Sequence, residues 1–209
     1  HTLEMCADIK ARKLDVTWDC ETRVDAVDKE LLEKMHDAGC ITIWFGVESG
    51  SEKILDQMHK KIKPEGVRLA FKTAQKAGLM TIASAVIGFP GETEETAWET
   101  INFINSLNPD DIGFYVATPY PGTPMYEQVV KNGWLRVTDF NKYDTATPTF
   151  ETPELSMEKI REIKYKAHQK FYLRPSYVFK MMRKGGTYGR SGLKTSAAYA
   201  LRAMHIKLS

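Results

Sequence analysis

Cysteine is scarce. Cys6, Cys20 and Cys40 are an odd number at wide spacing in 209 residues. That is no disulfide framework, and it favours a reducing, cytoplasmic setting. Long apolar runs are absent too, since none approaches the roughly 20 residues a membrane helix requires. His36 and His59 fall on helical surfaces without a second histidine or carboxylate at ligand spacing, which argues against a metal there. Acidic residues stop at Glu162. Eleven Lys or Arg follow, so residues 1–162 carry −9 against a chain total of +2. A solvated helical face with a loose tail explains such an end, and so does contact with an anionic surface, either lipid or another domain. No nucleic-acid motif accompanies it.

What is present fits a globular domain, 43% hydrophobic and 27% charged. Four apolar runs recur: "LDVTWDC" (14–20), "ITIWFGV" (41–47), "LMTIASAVIGF" (79–89) and "DIGFYVAT" (111–118). They are rich in β-branched or aromatic residues and apolar on both parities, as buried parallel strands are. Helical patterns separate them. Asp28 can cap one that Gly39 ends, and Ser51 can cap a short second. Pro64 suits the first turn of a third, closed by Gly78, and Thr93 opens a fourth. Strand–helix alternation of this kind predicts a parallel α/β fold.

After Pro119 the rhythm changes. "PMYEQVVKNG" reads as a short helix, 133–155 as irregular, and Ser156 as the start of a longer helix with a weaker one after Pro175. The segment "RKGGTYGRSG" reads as flexible. The expected division is residues 1–132 as an α/β core and 133–209 as a helical region with a basic tail.

The unusual residues gather at the ends of the runs. Glu21 and Arg23 lie just past the first, and Glu48 with Ser49 ends the second. Gly88 and Gly91 flank Pro90 after the third, and "ATPYPGT" ends the fourth. Carboxyl ends of parallel strands are where α/β folds place their sites. Bland readings stand beside this one. Glu48 can pair with Arg23, the glycines can serve a tight turn, and Cys20 and Cys40 can pack as small hydrophobes.

With "TWDCETRVD", "FGVESGS", "IGFPGET" and "ATPYPGT" in this order, the chain resembles the radical S-adenosylmethionine superfamily. Within it, the chain looks most like the cobalamin-domain-bearing branch of the anaerobic magnesium-protoporphyrin monomethyl ester cyclase type. The resemblance covers residues 1 to about 130 and implies the third to sixth strands of a partial (β/α)6 TIM-like barrel. It implies S-adenosylmethionine cleaved at a [4Fe-4S] cluster to give a 5′-deoxyadenosyl radical, a small-molecule substrate, and in some relatives cobalamin. By resemblance Glu48, with Ser49 beside it, accepts from the ribose hydroxyls, a task for an acceptor-only carboxylate. The segment from Ser84 through Val86 to Gly88 flanks the adenine, and Ala117, Thr118 and Pro119 read it from the other side. Lys60, or else Arg23, is the cation for the methionine carboxylate.

The family's C-x3-C-x2-C cluster motif has no counterpart here. Cys6, Cys20 and Cys40, expected on a helix, a strand and a turn, cannot replace it. The chain is therefore expected to bind no cluster by itself and to be inactive alone, as a fragment missing N-terminal parts, half of a split enzyme, or a remnant that no longer reacts; a non-catalytic binding or scaffold module using the basic C-terminal helices is the alternative. A conventional barrel using Glu48 and Arg23 in acid–base work is the remaining enzyme reading. Missing strands would leave the edge of the first run open to self-association.

Overall fold

The structure, a computed structural model, describes residues 1–208, with side chains through Arg202. Its centre is a parallel sheet of β1 (Trp18–Arg23), β2 (Cys40–Glu48), β3 (Met80–Ile87) and β4 (Asp111–Val116), in the order β1-β2-β3-β4. Helix α1 (Thr2–Ala11) precedes it. Between strands run α2 (Lys29–Asp37), α3 (Glu52–Gln57), α4 (Pro64–Lys76) and α5 (Glu94–Leu107).

Local chemistry sets the helix ends. The Asp28 carboxylate accepts from Leu31 N–H at 2.8 Å, and Thr93 and Thr96 close a reciprocal capping box. Pro64 stands in the first turn of α4. Ser51 occupies the N-cap of α3 without bonding there by its hydroxyl; its N–H instead donates to Ser49 Oγ.

The outer face of β2 carries Ile43, Phe45 and Val47, all fully buried, with the Phe45 ring 5.1 Å from Phe71 of α4. The inner face carries Trp44, Gly46 and Glu48. Across it Gly46, Ser84 and Gly113 stand in register on β2, β3 and β4, a row of small residues just below the carboxyl rim.

The first strand departs from expectation. It starts at Trp18, not Leu14, and runs through Glu21 to Arg23; Leu14 and Val16 are exposed. Its residues alternate between half-buried and exposed, because among the described residues β1 has a partner strand on one side only. Cys40 opens β2 and is not in a turn.

The remaining chain closes on β4. Helix α6 (Pro124–Lys131) follows the rim, and Val116 N–H donates to Thr145 O at 2.7 Å, tying the irregular segment to the strand. Helix α7 (Met157–Tyr172) runs from the rim, where Ile160 meets Gly88, to the other end of the sheet, where α8 (Pro175–Lys184) and α9 (Gly186–Leu208) pack. The Tyr172 hydroxyl donates to Asp111 at 2.6 Å, Tyr188 donates to Asp110 O, and Lys180 and Lys184 both meet the Asp110 carboxylate.

The glycine-rich segment is helical rather than flexible. A Cβ on Gly189 would lie 2.5 Å from Met181 O, and one on Gly192 2.6 Å from Met181 Sδ. These glycines let α9 cross α8 at backbone distance.

Candidate functional site

At the end of β2 the ladder slips between Gly46 and Glu48, and Ser49 N–H turns back to Val47 O at 2.8 Å. Glu48 is the middle residue of this three-residue turn, at φ +63°. The positive-φ form of that turn is strained and rare for a residue with a side chain. The strain lifts the carboxylate off the sheet toward the rim. Strain held in one residue at a strand end is a mark of a functional position.

The Glu48 carboxylate meets Lys60 Nζ at 2.8 Å, and the two side chains are only partly exposed. Arg23 does not pair with Glu48. Its guanidinium grips Asp25 with two hydrogen bonds of 2.8 and 2.7 Å in solvent. Those bonds raise Arg23 and hold the Asp25 carboxyl below the usual carboxylate range.

Glu48, Lys60, Val86, Ala117 and Thr118 line one cavity of about 600 Å³ at the carboxyl ends of β2, β3 and β4. The other candidates frame it. Ser49 Oγ and Thr100 Oγ1 share a bond of 2.9 Å that anchors the turn onto α5, and Ser84 Oγ donates to Phe45 O at 3.3 Å. Gly88 takes φ +85°, and a Cβ there would press on Ile160 at 2.9 Å. Pro119 is buried between Thr118 and Tyr120. The Thr118 hydroxyl is held by Asp144 O at 2.8 Å.

Several residues escaped the sequence reading. Tyr115, Tyr120 and Met125 form an apolar wall opposite Glu48, while Gln57 and His59 reach the cavity from α3 and its end. Only Tyr115 carried a signal: it lies two residues beyond Gly113 and so shares its face of β4. Glu92 is the larger omission. Its side chain is fully buried, one oxygen accepts from Gly88 N–H, and the other has no partner among the described residues. Burial pushes its pKa up to about 7, against the pull of the Gly88 and Phe89 N–H groups. Glu92 thus braces the loop from which Phe89 enters the cavity wall.

A sequence model of the Radical SAM superfamily matches residues 2–104. An uncharacterized methyltransferase of Pyrococcus horikoshii is 37% identical over 180 residues, 86% of this chain and 39% of its own length. The chain belongs to the radical S-adenosylmethionine superfamily.

Another relative of this radical S-adenosylmethionine chain is the anaerobic magnesium-protoporphyrin IX monomethyl ester cyclase of Rubrivivax gelatinosus. It is 26% identical, over 84% of this chain and 32% of the cyclase. The chain thus spans about a third of the length of these curated relatives. Among solved structures, the cobalamin-dependent S-adenosylmethionine radical enzyme OxsB aligns over 98% of the chain and 35% of its own, at TM-score 0.64 and 13% identity. The methyltransferase TsrM of Kitasatospora setae, solved with cobalamin and a [4Fe-4S] cluster, aligns over 77% and 34%, at TM-score 0.56 and 17% identity. At such identities these likenesses establish the barrel-type fold and nothing finer. The helical C-terminal region lies within the OxsB alignment.

The cysteines do not fit an iron–sulfur cluster. The Cys40 thiol is buried and donates to Thr42 O at 3.5 Å, Cys20 is half-buried on β1, Cys6 is buried on α1, and none of the three lines the rim cavity. Among the described residues no group of three or more His, Cys, Asp or Glu is placed to hold a metal ion. Nor is any described helix long and apolar enough to cross a membrane.

Proposed function

We propose that the rim cavity is the nucleoside half of an S-adenosylmethionine site. The observation that carries this reading is Glu48, held in a left-handed turn and aimed into the cavity that Thr118 lines from β4. In this reading the Glu48 carboxylate accepts from the ribose hydroxyls, with Ser49 fixing the turn. The β3 end, Ser84 through Val86 to Gly88, passes beside the adenine, and the glycines Gly46 and Gly113 make room for the Glu48 carboxylate and the Tyr115 ring that wall the cavity. The edge Ala117–Thr118–Pro119 meets the adenine from the other side. Lys60 serves Glu48 and the methionine carboxylate together, and Arg23 is a second cation at the same end of the sheet.

The activity belongs to a larger assembly: reductive cleavage of S-adenosylmethionine at a [4Fe-4S] cluster held by cysteines outside this chain, with cobalamin a further cofactor of the complete protein. A cluster and S-adenosylmethionine bound there would supply the radical chemistry, and Glu48, Ser49, Lys60 and the β3 and β4 ends would hold the nucleoside. The named relatives favour methyl transfer or cyclisation on a small molecule, a tetrapyrrole ester in the cyclase. The residues here contribute binding, orientation and the exclusion of water, with Tyr115, Tyr120 and Met125 facing the substrate side. The three free thiols suit a cytoplasmic location. Among the described residues β1 pairs only with β2, so its free edge takes a further strand or a second copy. Isothermal calorimetry of the chain with S-adenosylmethionine tests the nucleoside site without a cluster. Binding is expected at a one-to-one ratio, and no heat at millimolar ligand would refute it.

A further inference from the structure

At the amino end of the sheet, opposite the rim cavity, a second hollow opens. It has a volume of about 330 Å³ and is lined by Asn108, Ser176, Phe179, Lys180, Arg183 and Lys184. Of its three cations, two meet a single buried carboxylate. Asp110 holds Lys180 at 3.0 Å and also Lys184, and Arg183 stands over the Phe179 ring at 5.8 Å with no carboxylate among its described partners. The hollow is therefore net positive. Beside it Phe179 and Met182 project from α8 with 61% and 64% of their surface in water. Both lie on one face of the helix, three residues apart. Arg190 and Lys194 of α9 are exposed as well, and no acidic residue follows Glu162 in the sequence.

We infer that this end of the molecule docks on an anionic lipid surface. A large aromatic and a methionine exposed together, flanked only by Lys and Arg, is the composition of a helix that lies in a bilayer interface. Phe179 and Met182 enter the headgroup boundary, and a lipid phosphate sits in the hollow against Arg183, Lys180 and the Ser176 hydroxyl. Sign complementarity argues for lipid. An anionic membrane presents negative charge over the whole basic face, whereas a single soluble anion would leave the two apolar side chains in water. The docked face is at the amino ends of the strands, so the rim cavity stays open to solvent.

The test is co-sedimentation of the protein with large unilamellar vesicles of phosphatidylcholine alone or with about a third phosphatidylglycerol. Binding is expected only to the anionic vesicles, and it should fall when salt rises from about 0.1 M to about 1 M. Arg183→Gln should weaken partitioning about fivefold. The double variant Phe179→Ser with Met182→Ser should weaken it more than tenfold. All three positions are exposed, and circular dichroism checks the fold of each variant. Three results would each overturn the inference. One is equal binding to neutral and anionic vesicles, or to neither. Another is full competition by inorganic phosphate, which would mark a soluble-anion site. The third is lipid-free self-association lost in the Ser double variant, which would assign the face to a protein partner.

Discussion

Lys60 Nζ stands 2.8 Å from Glu48 Oε1 although twelve residues separate them. The chain brings them together by ending α3 abruptly. His59 takes φ +54°, and Lys60 N–H donates back to Leu55 O at 2.9 Å, which reverses the chain and aims Lys60 at the rim. The result is a cavity wall that neutralises itself before any ligand arrives. An incoming carboxylate has to share Lys60 with Glu48, and incoming hydroxyls have to share Glu48 with Lys60.

Sharing has a measurable signature. Lys60→Met should lower affinity for S-adenosylmethionine about tenfold, the loss of one charge-assisted contact. For 5′-methylthioadenosine, which has no carboxylate, the loss should stay within about threefold. Equal losses for both ligands would mean that Lys60 acts only by orienting Glu48. The stability cost should remain under about 1 kcal/mol, because the pair is partly solvated.

Glu92 makes stability depend on pH in an unusual direction. Its folded pKa, about 7, lies above the ordinary carboxylate value, so the native state holds the extra proton. That contribution is complete below about pH 4.5 and is lost as pH rises toward 7, by up to roughly 3 kcal/mol. Glu92→Gln should match the parent near pH 5 and exceed it in urea denaturation near pH 8. A variant that loses stability equally at both values would show that Glu92 works as an ionised acceptor for the Gly88 loop.

The glycines of α9 and α4 should respond oppositely to alanine. At Gly192 a Cβ would come 2.6 Å from Met181 Sδ and 2.8 Å from the Tyr177 hydroxyl, so Gly192→Ala should cost about 1–3 kcal/mol. Gly66 lies in α4 with nothing within 4 Å of an added Cβ, and Gly66→Ala should stabilise by about 0.5–1 kcal/mol. Thermal unfolding separates the two signs.

Much of the fold was legible because its signals are local. Asp28, Thr93 and Pro64 start helices through bonds and dihedrals made within one turn, and the strands of the sheet interior carry apolar residues on both faces. Leu14 and Val16 misled because an apolar run says nothing about whether a partner strand exists on each side. Gly189 and Gly192 misled because glycine means freedom in an isolated segment and close approach once a second helix lies across it. At the site, Glu48 stood out as a carboxylate ending an apolar strand. Lys60 was legible only by resemblance, as the cation for the methionine carboxylate; its pairing with Glu48 was not, since Lys60 reaches it through the left-handed His59. Glu92 was passed over inside a quoted motif, because only the packed loop shows that its carboxyl is sealed from water.

The central claim is that the carboxyl rims of β2, β3 and β4 form one nucleoside pocket with Glu48 as its ribose acceptor. Calorimetric titration of Glu48→Ala with S-adenosylmethionine tests it most directly. Affinity should fall at least tenfold while the fold, read by circular dichroism, is retained. A folded Glu48→Ala protein that binds as tightly as the parent would contradict the account.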